Sequence, residues 1–217
     1  PYDSVGDFTM ISMTTRFPFG IAVGAQSPIR TLPELLKMAR DKPGTVALGH
    51  AGVGTGMHLA GALLQNREGV RFIDVPYKGG NLAPTAAASG EIAAVMDNLA
   101  SMDPLNQGNR LRLPAVTSPQ RCATYPAVPT IAESGSAGFE VMGWTAVAGP
   151  KKMPPAVVDR LSREIARVMA KPDVVGRLRK LGLGATSTSS AEAGKVLAGE
   201  VTRWQQLVRD EKIKTQD

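Results

Sequence analysis

Three glycines at alternate positions interrupt the run His50-Ala51-Gly52-Val53-Gly54-Thr55-Gly56-Met57-His58, between a strand-like stretch and a helix-like one. Lacking Cβ atoms, such a loop lets backbone N–H groups come close to a bound group. The N-terminus of the following helix adds about half a positive charge. The chemistry this suits is anion binding. The amides from Gly52 through Val53 and Gly54 to Gly56 form a cradle, with the Thr55 hydroxyl as a further donor. No Gly-Lys-Ser/Thr follows, so this is not a P-loop, and the spacing misses the dinucleotide fingerprint. A glycine-rich turn with no ligand is the alternative reading.

Two more strand ends carry polar chemistry. In Asp74-Val75-Pro76-Tyr77-Lys78-Gly79-Gly80, Lys78 offers charge and Tyr77 a hydroxyl and a flat wall, or else Lys78 is solvated and Tyr77 packs. In Met96-Asp97-Asn98, Asp97 suits an ammonium or hydroxyl, or else caps the next helix. In a parallel α/β sheet all three segments emerge at the carboxyl edge, where ligands of such sheets gather. Reaction chemistry is absent from the pattern. Cys122 lies in Pro119-Gln120-Arg121-Cys122-Ala123 with no His nearby. His50 and His58 are eight positions apart without clustered carboxylates, a poor zinc pattern. No nucleophile elbow occurs. Neither a catalytic residue, a metal nor a cofactor is expected.

The elements that must position these loops follow from punctuation and periodicity. The 23 glycines and 16 prolines among 217 residues suit short alternating strands and helices. Strands are read at 10–13, 19–23, 46–49, 70–75, 92–96, 113–116 and 139–148. Thr31-Leu32-Pro33-Glu34 is a capping box opening a helix that stops at Pro43-Gly44. Further helices are expected at 57–67 and 81–89. After Pro154-Pro155 a helix places Val158, Leu161, Ile165 and Val168 on one face. A short helix at 173–181 ends at Gly182, and Ser189 with Glu192 opens a last one with a stripe of Ala193, Leu197, Val201, Trp204 and Val208. Alternating strands and helices predict a mostly parallel sheet covered on both faces. Hydrophobic content of 43% and charged content of 20% are globular values. No apolar run approaches the ~20 residues of a membrane span. The net charge of +6 is scattered without a basic stripe or interleaved aromatics, which argues against nucleic acid. A single cysteine excludes an intrachain disulfide.

These residues, in this order, resemble the Bug family of periplasmic substrate-binding proteins of tripartite tricarboxylate transporters. Pro1-Tyr2-Asp3 with Asp7-Phe8 resembles its PYDP…KDF segment. Ser27-Pro28, Thr31-Leu32-Pro33-Glu34-Leu35 and Pro43-Gly44 are similar to PS…TL.EL…PG. The glycine loop through His58-Leu59-Ala60-Gly61 is similar to G.GS..HLAGE, with Thr55 where Ser is common. Val75-Pro76-Tyr77-Lys78-Gly79 matches VPYKG. Ala115-Val116-Thr117-Ser118, Arg121, Tyr125 to Thr130 and Glu133-Ser134-Gly135 resemble AVTS..R…LPDVPT..E.G, and Trp144 with Ala148-Gly149-Pro150 is similar to W.G..AP.

The resemblance implies an α/β fold of type II periplasmic-binding-protein kind: two lobes with mostly parallel or mixed sheets flanked by helices, the first lobe incomplete at its N-terminus. Residues 1–25 and 119–217 would build the first lobe and 26–118 the second, ligand-binding one. It further implies capture of a small carboxylate (dicarboxylate, tricarboxylate, acidic amino acid or aromatic acid) for cognate membrane transporter subunits, in the periplasm and without catalysis. Ligand contacts are expected from Gly52, Val53, Gly54, Thr55, Gly56, His58, Tyr77, Lys78, Gly79 and Asp97. The family section before PYDP is expected to be missing, leaving apolar sheet edges exposed. Pro114, which replaces a residue of the family's IKAGKLRALA pattern, removes a donor from a strand expected between the lobes. The rival reading is an α/β hydrolytic or transfer enzyme using the glycine loop as an oxyanion hole.

Overall fold

A computed structural model describes residues 2–79 and 81–210. Pro1 of the PYDP-like segment, Gly80 of the Lys78 loop and residues 211–217 lie outside the described residues. The chain divides into two compact units. One comprises Pro1–Phe17 with Gly143–Leu207, the other Pro18–Met142 with Val208–Asp217. The apolar runs at 10–13 and 19–23, read as two strands, are one 17-residue strand, β1 (Phe8–Gly24), that contributes to both. Pro18 falls between the residues paired in one unit and those paired in the other.

In the second unit the strand order is β3-β2-β4-β1-β5. β2 (Val46–His50) pairs in parallel with β3 (Phe72–Pro76) and β4 (Ala94–Asn98). β1 enters antiparallel to β4 and to β5 (Leu111–Val116), so the sheet is mixed rather than mostly parallel. Side chains alternate between its faces. A Cβ on Gly20 would meet Leu99 and Met102, and one on Gly49 would meet Ile92, Tyr77 and Ala83, which marks the face covered by α3 (Leu82–Ser89) and α4 (Leu99–Gln107). Leu48, one position away, touches Gly61 of α2 (Gly56–Glu68) on the other face. Ala22, Val95, Leu99, Met102, Ala86, Ala87 and Val116 form the core beneath α3 and α4.

α1 (Leu32–Asp41) carries the expected capping box: the Glu34 amide donates to Thr31 Oγ1, and Glu34 Oε2 accepts from the Thr31 amide at 3.1 Å. Helix α4 follows Asp97 and Asn98, where a next helix was expected only as the alternative role of Asp97 and without bounds. Pro114 lies within edge strand β5, where the pairing with β1 shifts register between Ile21 and Val23. An edge with a bulge is where a strand tolerates a missing N–H, so β5 continues through it. The unit also extends beyond the expected 26–118 at both ends. The cause is visible at buried Thr117. Its hydroxyl accepts from the Phe19 amide at 2.8 Å and donates to the Val141 carbonyl at 2.7 Å, while its carbonyl accepts from the Val141 amide at 3.0 Å. That ties β1, the end of β5 and the 139–141 segment together.

In the first unit β1 pairs with β6 (Met142–Pro150) and antiparallel with β7 (Gly184–Ala185), a two-residue strand the sequence did not signal. α5 (Pro155–Met169), α6 (Pro172–Lys180) and α7 (Ser190–Asp210) follow the expected helices closely. Gly182 takes the left-handed conformation at φ +70°, and Ser189 and Glu192 cap α7 reciprocally. The expected apolar face of α5 is not buried as a whole. Val158 is buried, yet Leu161 is 39% and Val168 44% exposed. One buried cluster here comprises Met10, Met13 and Ala193, backed by Trp144 and Leu197. Phe8 and Val147 are also exposed. No helix among the described residues is long and apolar enough to cross a membrane.

The Thr117 knot yields a test. Thr117→Val keeps shape but removes the hydroxyl that accepts from the Phe19 N–H and donates to the buried Val141 C=O. Urea unfolding should show a loss of about 1–3 kcal/mol; a loss below experimental error would mean those groups find other partners.

Candidate functional site

The glycine loop sits where parallel strands β2 and β3 end side by side. Beyond the ladder the two chains stay joined: the Tyr77 amide donates to the His50 carbonyl at 2.9 Å and the Gly79 amide to the Ala51 carbonyl at 3.1 Å. Gly52, at φ +138°, is close enough that a Cβ would lie 3.4 Å from the Tyr77 carbonyl oxygen. A side chain there would be strained in backbone, at ordinary contact distance from that oxygen. The loop then turns through Gly54, at φ +78°, into α2.

Register decides what lies under the loop. Leu48 pairs with Asp74, so His50 and Asp74 point to the same face, the one covered by α2. His58, in the first turn of α2, comes down on that face too. The two rings lie 4.8 Å apart. His50 Nε2 is 2.8 Å from Asp74 Oδ1, and His58 Nε2 is 3.7 Å from Asp74 Oδ2. Both histidines are buried, whereas the Asp74 side chain is 43% exposed. Burial pushes the His58 pKa down, outweighing the Asp74 carboxylate that raises it. Burial alone would raise Asp74; the His50 hydrogen bond and the two imidazoles outweigh it and hold the carboxyl below the ordinary aspartate range. Among the described residues these three are the side chains whose possible metal-ligating atoms gather within 4.8 Å. The sequence reading left the histidines without a carboxylate. The parallel crossover supplies one from 24 residues downstream of His50. The available signal was Asp74 itself, a lone acid inside the strand Phe72-Ile73-Asp74-Val75.

The expected donors divide into used and free. The Gly52 amide donates to His50 Nδ1 at 3.2 Å and the Gly54 amide to His58 Nδ1 at 3.1 Å. The Thr55 hydroxyl donates to the Gly52 carbonyl at 2.7 Å and caps α2 by accepting from the His58 amide. Gly52, Gly54 and Thr55 therefore spend their donors shaping the loop. Among the described residues, the amides of Val53, Gly56 and Met57 have no such acceptor. The last two are the orphan N–H groups of a helix start. The Phe19 ring stands over this point: a Cβ on Gly56 would meet its Cζ at 2.9 Å.

Of the other expected residues, Tyr77 packs on the α3 face and its hydroxyl donates to Glu91 at 3.2 Å. Lys78 is exposed. Gly79 stitches the loops through its amide, at φ +72°. Asp97 pairs with Gly20, so by parity it faces α4, opposite to Phe19 and His50. Its Oδ1 accepts from the Asn98 amide at 2.6 Å, and its buried Oδ2 has no partner among the described residues. Asn98, paired with Phe19, lies on the α2 face, and its buried Oδ1 is also unpartnered there. Cys122 packs against the core as a partly buried thiol. A groove of about 730 Å³ lined by Glu34, Lys37, Asp41, Thr45 and Ala93 lies at the start of β2, away from the glycine loop.

A mixed sheet flanked by helices, with a glycine loop and a helix N-terminus at the ends of its parallel strands, defines an α/β fold of the periplasmic-binding-protein type. Solved structures bear this out. A protein of R. palustris solved with adipate is 28% identical, with a TM-score of 0.91, over 98% of this chain and 71% of that one. The periplasmic binding protein BugD is 26% identical, with a TM-score of 0.88, over 99% and 73%. MatC from Rhodopseudomonas palustris, solved with bound malate, is 25% identical, with a TM-score of 0.85, over 95% and 71%. The chain belongs to the TctC family, the tripartite tricarboxylate transporter family receptors, whose pattern matches residues 1–213. Among curated relatives, a UPF0065 protein from the tcbD-tcbE intergenic region of a Pseudomonas species is 38% identical over 96% of this chain, and BugT of Bordetella pertussis 30% over 97%. The chain spans 62% and 64% of the lengths of these two relatives.

Asp97 provides a test of the site's electrostatics. Burial raises its pKa, above all other influences on it. A carboxyl whose folded pKa exceeds its unfolded one costs stability once pH rises above the unfolded value, and costs nothing below it. Asp97→Asn should therefore stabilise the ligand-free protein at pH 7. The gain should shrink as pH falls towards 4. A pH-independent gain, or a loss at pH 7, in melts of the two proteins would contradict it.

Proposed function

We propose that this chain is part of an extracytoplasmic solute-binding protein that captures a small carboxylate for a tripartite tricarboxylate-type transporter, in the periplasm and without catalysing a reaction. The observation that carries the reading is the set of unbonded amides of Val53, Gly56 and Met57 at the α2 N-terminus beneath Phe19. A carboxylate satisfies several such donors at once and complements the helix dipole. Two structural relatives hold dicarboxylates, adipate in one and malate in the other, which supports the same class of ligand here.

In this reading Val53 and Gly56 supply backbone donors. Gly52, Gly54, Thr55 and His58 hold the loop, and Gly79 keeps the neighbouring loop against it. Lys78 adds positive potential at the rim, Tyr77 acts through packing, Asp97 stays beneath α4 on the other face, and Asn98, on the face of Phe19, offers an acceptor for a hydroxyl or ammonium elsewhere on the ligand.

Titration calorimetry with a panel of malate, adipate, citrate, glutamate and an aromatic acid should show saturable 1:1 binding of at least one, with no product formed. Gly56→Val drives a side chain into the Phe19 ring and covers the helix start. It should weaken that ligand at least about tenfold, the loss of one good charge-assisted hydrogen bond, with the far-ultraviolet circular dichroism unchanged. Undiminished affinity in this folded variant would remove the carboxylate from the α2 N-terminus.

A further inference from the structure

The pair His50 and His58 with Asp74 is built in a way that neither a buried ion pair nor a metal site requires. Each ring receives a backbone amide at Nδ1, from Gly52 at 3.2 Å and from Gly54 at 3.1 Å. An amide can only donate, so each Nδ1 presents a lone pair, and a neutral imidazole then carries its proton on Nε2. The tautomers are assigned from these partners. Gly52 O also lies 3.0 Å from His50 Nδ1, which alone would suggest the opposite tautomer. That carbonyl already accepts from the Thr55 hydroxyl at 2.7 Å and the Thr55 amide at 3.3 Å. It does not need His50, whereas the Gly52 amide has no acceptor besides Nδ1 among the described residues. The His50 Nε2–H thus donates to Asp74 Oδ1 at 2.8 Å, and His58 Nε2 faces the other oxygen of the same carboxylate at 3.7 Å, an electrostatic contact rather than a hydrogen bond. A metal ion would need lone pairs at Nε2 and protons at Nδ1, turning two N–H groups against two amides.

Asp74 is an anion placed beside a loop read here as an anion cradle, and simple Coulomb repulsion opposes that. A compensating role is therefore called for, and the tautomers supply it. We propose that Asp74 is a positioning residue of the ligand loop. By accepting Nε2–H from His50 and facing His58 Nε2 with its second oxygen across 3.7 Å, it favours in both rings the tautomer whose Nδ1 lone pair meets Gly52 or Gly54, and these bonds hold the loop so that the Val53, Gly56 and Met57 amides stay free for a ligand carboxylate. This deepens the carboxylate reading and rests on it.

The consequence is a sign that electrostatics alone reverses. Asp74→Asn removes a negative charge, so through-space attraction predicts tighter carboxylate binding. In the positioning scheme the asparagine oxygen accepts one Nε2–H, its amino group opposes the other, and one ring gives up its glycine amide. Carboxylate affinity should fall about tenfold, on the scale of one such hydrogen bond, and Asp74→Glu should restore it to within about threefold.

Two measurements need no ligand. Nitrogen-15 imidazole spectra of the unmutated chain should show both histidines as Nε2–H tautomers. Amide hydrogen exchange at Gly54 and Gly52 should quicken in Asp74→Asn by at least about tenfold, at an unchanged global melting temperature. Equal or tighter carboxylate binding by Asp74→Asn would overturn the proposal. So would an Nδ1–H tautomer at His58, unchanged exchange at both glycines, or stoichiometric Zn²⁺ binding lost in His58→Gln. If the unmutated chain binds no carboxylate while tautomers and exchange come out as stated, the ligand reading fails and the positioning of the loop stands.

Discussion

The register of β2 between β3 and β4 is the constraint on which the site depends. Leu48 opposite Asp74 and Ala94 puts His50 and Asp74 on one face and ends the parallel strands at one edge. A slip of one residue would send every side chain of β2 to the other face. His50 would then enter the apolar layer under α3, where a Cβ at the neighbouring Gly49 already presses on Ile92. Leu48, packed on Gly61 of α2, would be exchanged for a residue without a side chain. The apolar packing on both faces therefore decides the polar geometry.

From that register the rest of the loop is an exercise in satisfying backbone groups. A turn of three glycines exposes several N–H groups at once, and each needs an acceptor. Two go to imidazole nitrogens, one hydroxyl bridges back to Gly52, and the helix start is left over. Loops with this many internal bonds are shaped before a ligand arrives, which limits the ordering cost of binding. The contrast within the chain is instructive. The second unit is held by a substantial core of Ala22, Val95, Leu99, Met102 and their neighbours, whereas in the first α5 leaves much of its apolar side exposed.

Much of the fold was legible. Capping boxes at Thr31 and Ser189, the glycine stop at Gly182, and apolar runs at β2, β4 and β5 act through neighbours three or four positions away, and such signals survive without tertiary context. Misread elements have non-local causes. β1 joins two runs across Pro18 because different partners in the two units take up its two stretches. α4 lacks a stripe, yet forms because Leu99 and Met102 reach the space over Gly20. Leu161 and Val168 have helical spacing, but spacing cannot say whether anything lies opposite them.

For the site, the sequence by itself determined that a glycine loop would lead into a helix at a strand end and leave amide donors there. Chain stereochemistry and the helix dipole guarantee as much. Only the tertiary structure decided which amides remain free. It brought Asp74 beneath His50 and His58 through a parallel crossover, committed Gly52, Gly54 and Thr55 to the loop's own shape, and turned Asp97 to the opposite face. A hydrogen bond depends on where two groups stand to within a few tenths of an ångström, and for residues 24 apart that is settled by packing rather than by any local preference.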